Sequence, residues 1–417
     1  MKKFTFISKK QILLLIFTGI SIVADAQNDN TKFFKRLRDD TSKPKLNMDA
    51  NYNRPFLQMG KIPIAIGGYM ETNMQLSSVD GLSGGTSFQF RRTSIFFSST
   101  IADKIKFLSE FEFEDGAKEI AVEYASLDFN LHPLLNIRGG IVVNPIGSYN
   151  QNHDGPKWDF IDRPIEATTI LAATLSTVGF GMYGKYAAGN WTLGYEAYLT
   201  SGFDDHIIDN TRSRTSLADG VRNRNRFEES NNGSLMFTGK IAIRNRKIGE
   251  IGLSYMENVY NKWRSEGIIL DNKRRMDAIA LDYATSLLNN RLNITGEVSR
   301  VFVNIPDNYL EQYGTQQWGV FTDFVGTIVK RPILGWNSAK LDLAMRVEYV
   351  DYNDGYLREG GKIYNDLWSI VPAIAFRPVG TTVIRFNYRY QQQRDMAGNH
   401  LTPFQTTVFQ FGFSTYF

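Results

Sequence analysis

Hydrophobic and polar residues alternate along most of the chain from Ile64 to Phe417. In the last fourteen residues, 404–417, one face is mostly aromatic, with Phe409, Phe411, Phe413 and Phe417 at alternate positions, and the other face is mostly small or polar. A period of two is that of a β-strand whose two faces meet different surroundings. The pattern therefore predicts a chain built mainly from two-faced strands.

Sixteen segments of this kind follow one another, each long enough for a tilted membrane-spanning strand of about 9–11 residues. In 234–245, for example, Phe237 and Ile241 alternate with Thr238 and Lys240. The predicted strands are 64–76, 86–98, 105–114, 119–129, 134–143, 176–187, 189–201, 234–245, 248–260, 276–288, 291–303, 315–328, 339–352, 365–377, 380–392 and 404–417.

The lengths of the connections separate two folds that alternation alone leaves open, a soluble β-sandwich and a membrane barrel. Odd-numbered connections are long (77–85, 144–175, 202–233, 261–275, 304–314, 353–364 and 393–403), except 115–118. Even-numbered connections are short (99–104, 130–133, 188, 246–247, 289–290 and 378–379), except 329–338. This asymmetry predicts an all-β fold: a transmembrane antiparallel β-barrel of about 16 strands, with long extracellular loops and short periplasmic turns.

The N-terminus has the features of a secretory signal. Four lysines precede an apolar core, Ile12 to Val23, and Ala24-Asp25-Ala26 resembles a cleavage site. The sequence predicts three parts: a signal peptide at 1–26, a periplasmic N-terminal extension at 27–63 and the barrel at 64–417. It leaves open whether the extension plugs the lumen. We expect Sec export to the outer membrane of a Gram-negative bacterium, with outer-membrane lipid around the barrel.

Composition narrows the function classes. Residues 1–26 contain four Lys and one Asp, so the rest of the chain has 43 basic and 42 acidic residues, and its formal charge is +1 rather than +4. Nucleic acid is therefore not an expected partner. The chain has no cysteine, and its four histidines fall in predicted turns or loops without a catalytic or metal-binding motif. We expect no enzymatic activity and no cofactor.

The third long connection, 144–175, is unusually apolar for an exterior loop. It mixes Trp158, Phe160, Ile165 and other large apolar side chains with charges. Folding it into the barrel would bury these groups and narrow the channel, so we predict a constriction loop. Its cations nearest the narrowing would be Lys157 and Arg163, opposed by Asp154, Asp159, Asp162 and Glu166.

Several short motifs, in order, resemble one porin family. They are Gln89-Phe90-Arg91-Arg92, Ser109-Glu110-Phe111-Glu112-Phe113, Gly139-Gly140 before Asn144-Pro145-Ile146-Gly147, and Phe160-Ile161-Asp162-Arg163. The chain resembles the phosphate-selective porin O and P family, in the version found in Bacteroidetes, most strongly over 60–185. The aromatic last strand ending at Phe417 resembles that of outer-membrane barrels. The resemblance implies a sixteen-stranded homotrimeric porin with an inward third loop and an inward ladder of Arg and Lys residues that selects phosphate.

The predicted lumen face carries both signs of charge. The candidates for the pore lining and constriction are Arg91, Lys157, Arg163, Lys185, Lys240, Arg346, Arg385 and Arg389. Nearly equal numbers of carboxylates share that face, the acidic residues gathering on the first and third strands and a basic strip on strands 13 to 15. We predict a water-filled diffusion channel for small hydrophilic solutes and ions, either general or preferring anions or phosphate. The alternative is a barrel that docks a partner without an open channel.

Overall fold

The structure is a computed structural model, and it describes residues 34–37, 45–59, 63–212, 214–221, 226–229, 233–306, 314–356, 363–395 and 403–417. The predicted signal peptide, 1–26, lies outside these residues. In the described part of the chain, no helix is long and apolar enough to cross a membrane.

All sixteen predicted strands are confirmed, and they close into an antiparallel barrel in which each strand pairs with its neighbours in sequence. Closure comes from the last strand pairing with the first, Phe411 opposite Met74. The strands are β1 (Ile64–Val79), β2 (Leu82–Ala102), β3 (Ile105–Glu114), β4 (Glu119–His132), β5 (Leu135–Val143), β6 (Ser176–Ala188), β7 (Trp191–Thr200), β8 (Met236–Asn245), β9 (Gly249–Val259), β10 (Arg275–Leu287), β11 (Leu292–Val303), β12 (Gln316–Lys330), β13 (Lys340–Asp351), β14 (Asp366–Arg377), β15 (Thr382–Gln393) and β16 (Phe404–Tyr416).

The two faces of the strands are inverted relative to a soluble protein. In β8, Ile241 is 60% exposed on the outside, while Thr238 and Lys240 are buried on the inside. In β13, Leu343 and Val347 face outward and Arg346 is buried inward. Apolar side chains outside and charges inside are what a bilayer and a polar lumen require.

The connections define two ends of the barrel. At the short-turn end lie 103–104, 133–134, 189–190, 246–248, 288–291, 331–339 and 378–381, and at the long-loop end lie the odd-numbered connections. The predicted first long connection, 77–85, is wrong: β1 and β2 continue into it and meet at Asp80-Gly81. Both turn residues have positive φ, 49° and 82°, which is the two-residue turn that Asp-Gly favours.

Short elements complete the chain. Two short strands before the barrel, Phe34–Leu37 and Phe56–Met59, pair with each other, and the second also pairs with the start of β1. The helices are short: α1 (Ile165–Thr169), α2 (Leu217–Val221) and 3₁₀ turns at Asn47–Tyr52, Asp115–Ala117, Gly155–Lys157 and Asp205–Ile207. A small hairpin joins Arg264–Ser265 to Ile268–Ile269.

An apolar cluster fills part of the lumen near the long-loop end. Inward side chains of β8 to β11, such as Met236, Met256 and Met276, pack against Ile170 and Leu171 of the third long connection, 144–175, which we call the inserted loop. The connection 202–233, expected to be a hydrophilic exterior loop, joins them: Phe203, Ile207, Ile208 and Leu217 are at most 5% exposed. Because these inward strand positions are apolar, they need cover from water, and the loop provides it.

Candidate functional site

The third long loop occupies the lumen, which confirms the predicted inward fold. Phe160, Ile161, Ile170 and Leu171 are at most 2% exposed, and α1 contacts β11, β12 and β13. The loop turns at Gly147, whose φ is +65°. A residue with a side chain does not fit there, because its Cβ would collide with the Glu297 carboxylate. Glu297 accepts hydrogen bonds from the backbone of Ser148 (2.6 Å) and Tyr149 (3.2 Å).

The predicted basic strip holds this loop in place. Arg377 donates to the Asp159 carboxylate at 2.8 Å, and Arg385 donates to the Phe160 carbonyl at 2.6 Å. Arg346 donates to the backbone carbonyl of Asp162 at 2.7 Å. The strip therefore binds carboxylate and carbonyl oxygens of the chain itself.

The same arginines also pair with carboxylates of the barrel wall. Arg385 bonds Glu71 at 2.7 Å, and Arg346 bonds Asp323 at 2.6 Å. β15 and β1 are separated only by β16, so the basic strip and the acidic first strand lie side by side on the barrel wall, where these pairs join them. Their fields largely cancel at close range, since each guanidinium lies at hydrogen-bond distance from a carboxylate.

Asp162 is bound by side chains from three strands. Its Oδ1 accepts from Arg91 Nη2 at 2.9 Å, and its Oδ2 accepts from Gln410 Nε2 at 3.1 Å and lies 3.4 Å from Arg389 Nε. Arg389 also donates to Glu348 at 2.7 Å. Burial alone would raise the pKa of Asp162, but Arg91 and Arg389 outweigh it and hold that pKa below its ordinary value.

A segment that precedes the barrel enters the lumen from the short-turn end. We call residues 45–56 the plug segment. Leu46, Met48 and Arg54 are at most 5% exposed. The backbone N–H of Asn47 donates to Glu250 at 2.9 Å. The structure thus answers, for these residues, the question that the sequence left open.

Arg54 is the central charged residue of the plug segment. Its guanidinium donates to Glu110 of β3 and to Asp154 of the inserted loop, and it lies over the ring of Phe96 with 4.8 Å to the centroid. One buried cation therefore joins the plug segment, the loop and the wall. Nothing in the sequence singled it out, because its partners are 56 and 100 residues away.

The remaining predicted cations also lie close to carboxylates. Lys157 lies 3.2 Å from Asp154 and donates to the Ala50 carbonyl at 3.1 Å, and Lys185 pairs with Asp49 of the plug segment. Lys240 donates to Asp282 at 2.6 Å, with both side chains fully buried. Arg163 lies 3.9 Å from a Glu112 carboxylate oxygen.

His153 lies beside Arg54 and Asp154 in the inserted loop. Burial, together with the nearby Arg54 cation, lowers the pKa of His153 to about 4, so its ring is neutral near pH 7. Its Nδ1 lies 2.8 Å from the Asn150 carbonyl. Glu110, His153 and Asp154 have metal-like spacing, but Arg54 already supplies the cation that these carboxylates need.

Two cavities lie on opposite sides of loop residues 157–163. The outer cavity, about 500 Å³, faces the long-loop end and is lined by Gln89, Arg91, Arg92, Glu114, Asp115, Asp162, Arg163, Ile165, Thr168, Arg389 and Gln391. The inner cavity, about 410 Å³, faces the short-turn end and is lined by loop residues 156–160, Asn47, Asn152, Tyr416, Gly380 and inward residues of β11 to β14. The cavities share no lining residue, so the loop divides the lumen between them.

Comparison with known proteins supports the fold. No protein-family model matches the chain. An uncharacterized protein of Aquifex aeolicus (strain VF5) is 30% identical over 185 residues, which are 43% of this chain and only 40% of that protein.

Two solved structures share the architecture. The chain is similar to the anion-selective porin from Comamonas acidovorans (TM-score 0.51, 11% identity, 85% of this chain and 99% of that chain). It is also similar to OmpF of Salmonella typhi in complex with daunomycin (TM-score 0.51, 10% identity, 85% of this chain and 97% of that chain). These likenesses show an outer-membrane β-barrel fold.

Proposed function

We propose that this protein is a porin of a Gram-negative outer membrane, exported by the Sec pathway and surrounded by outer-membrane lipid. It conducts small hydrophilic solutes and ions by diffusion and prefers anions modestly. The observation that carries the proposal is the pair of cavities along the lumen, each lined in part by charged side chains and divided by a loop that ion pairs hold in place. A docking barrel has no need for cavities at both ends of its interior.

The charges of the two linings favour anions slightly. The outer lining has four arginines, Arg91, Arg92, Arg163 and Arg389, against three carboxylates. The inner lining has three cations, Lys157, Lys340 and Arg377, against two carboxylates. A narrow space with a small basic excess concentrates anions weakly, and salt screens the effect. Strict phosphate selectivity is not favoured, because the cations of the strip already have carboxylate or carbonyl partners.

Conductance of the purified protein in planar bilayers under a salt gradient tests the proposal. We expect discrete steps, a reversal potential on the anion side that shrinks at high salt, and little block by low phosphate. Strong block by phosphate would instead favour the phosphate-selective function of the resembling family. Absence of any step would overturn the channel function and favour the docking barrel.

The resemblance also supports a homotrimer, as part of the same proposal. The mass of the detergent-solubilised protein by light scattering tests it, and a monomeric mass would contradict it.

A further inference from the structure

A β-bulge turns an extra arginine into the lumen. Glu71 pairs with Arg92, and Thr72 pairs with Phe90, so Arg91 has no partner in the β1–β2 ladder. A bulge interrupts the alternation of faces and re-aims a side chain. The guanidinium of Arg91 consequently reaches the inserted loop, where it also donates to the Ile161 carbonyl at 2.8 Å.

Arg91, Arg389 and Gln410, which we call the receptor, are arranged around one carboxylate. Arg91 donates to one oxygen of Asp162, while Gln410 donates to the other and Arg389 lies near it. All three belong to barrel strands, and Arg389 is further fixed by Glu348 and by Ser369 at 3.0 Å. The carboxylate alone belongs to a loop. Arg389 is therefore held by the wall independently of Asp162, while Arg91 is also held by the Ile161 carbonyl.

The outer cavity reaches two of the three receptor residues, Arg91 and Arg389. Arg91, Arg389 and Asp162 line that cavity, and the side chains of Arg91 and Asp162 are 21% and 25% exposed. Arg163 lines it too. A solute that enters from the long-loop end meets these donors before it meets the loop divider.

We propose that Arg91, Arg389 and Gln410 form a binding site for the carboxylate group of organic acid solutes, and that Asp162 fills it as a tethered internal competitor. The proposal deepens the proposed function, since it places the site on the solute path. A planar group with two oxygens matches donors that already split between Oδ1 and Oδ2. Inorganic phosphate fits less well, because Glu348 lies against Arg389 and adds repulsion to a second negative charge.

A tethered ligand competes at an effective concentration in the millimolar range. Free carboxylates therefore bind the native protein more weakly than the receptor itself would allow. Removing the Asp162 carboxylate should raise the apparent affinity for a free organic acid by about tenfold.

Isothermal titration of the full-length protein in detergent with succinate, at constant ionic strength, tests this. We expect Asp162→Ala to bind succinate about tenfold more tightly than the native protein, and Asp162→Ala/Arg91→Gln to lose that gain. If Asp162→Ala folds poorly, Asp162→Asn, which keeps the side-chain shape, takes its place and should also bind succinate more tightly than the native protein. Asp271→Ala is the matched control, since Asp271 is also a loop aspartate paired with an arginine, Arg274, and it should bind as the native protein does.

Equal succinate affinity of the native and both Asp162 variants would overturn the inference. So would inorganic phosphate binding Asp162→Ala as tightly as succinate does. The titration does not require conductance. Tighter binding without channel steps would leave the site standing and reject the porin function, whereas steps with unchanged affinity would reject the site alone.

Discussion

At the residue scale, the lumen is organised by charges that find partners far away in sequence. Lys240 and Asp282 come from β8 and β10, and Arg385 and Glu71 are 314 residues apart. The alternation of faces predicted that Lys240, Arg346, Arg385 and Arg389 point inward. It gave no information on which carboxylate each would meet, because pairing across a lumen depends on the barrel closing and on the loop entering it.

Removing one member of a buried ion pair should be costly. In Lys240→Met, Asp282 stays buried without its cation, so we expect the free energy of unfolding to fall by about 3–5 kcal/mol. The double variant Lys240→Met/Asp282→Leu removes both charges and should recover most of that loss. Urea unfolding in lipid vesicles, followed by tryptophan fluorescence, measures the free energy of unfolding of both variants. A double variant as unstable as the single one would show that the charge left unpaired is not the cause.

His153 should make stability depend on pH. Its pKa is about 4 in the folded protein against an ordinary value of 6.5, so between these values the unfolded chain binds more protons. Stability from the neutral ring is complete above pH 6.5 and declines as pH falls toward 4, by up to about 3 kcal/mol. We expect His153→Gln to lack this contribution when urea unfolding is compared from pH 7 to 4. His132→Gln, at an exposed histidine at the end of β4, should keep the native profile, and an unchanged profile in His153→Gln would contradict the argument.

At the scale of elements, the strands were predictable and the segments inside the barrel were only partly so. Each strand has its own period-two pattern, because one face meets lipid and the other a polar lumen. The inserted loop was predictable from apolar residues such as Phe160 and Ile170, which water would not accommodate. The plug segment was not, since its burial depends on contacts of Met48 and Arg54 with a wall assembled from distant strands.

The plug segment should restrict conductance. Arg54→Ala removes the cation that joins the segment to Glu110 and Asp154, so we expect the segment to leave the lumen more often and single-channel steps to become larger. Arg244→Ala is the control: Arg244 is 44% exposed in its side chain and lies 3.7 Å from Glu250, and it donates to the Lys45 carbonyl at the end of the segment, at 2.8 Å. Steps of native size in Arg54→Ala would show that the plug segment does not limit flow.

At the scale of the whole molecule, the barrel places an apolar outer surface in lipid and keeps its charges inside, and depth in the bilayer should decide what that surface tolerates. Leu281 and Leu287 lie on the outer face of the same strand, β10, and are 43% and 46% exposed. They are six positions apart, or about 20 Å along the strand. Leu281 is near the middle of β10, whereas Leu287 is its last residue, at the short-turn end.

The pair gives a matched test of that arrangement. An arginine at the bilayer midplane costs about 2–4 kcal/mol, but only about 0–1 kcal/mol near the interface. We therefore expect Leu281→Arg to lower the free energy of unfolding in vesicles by the larger amount and Leu287→Arg by the smaller one. In detergent micelles, which adapt around a charge, the difference should shrink. Equal costs at both positions in vesicles would mean that β10 does not cross the bilayer, because only a spanning strand makes the penalty depend on position along it.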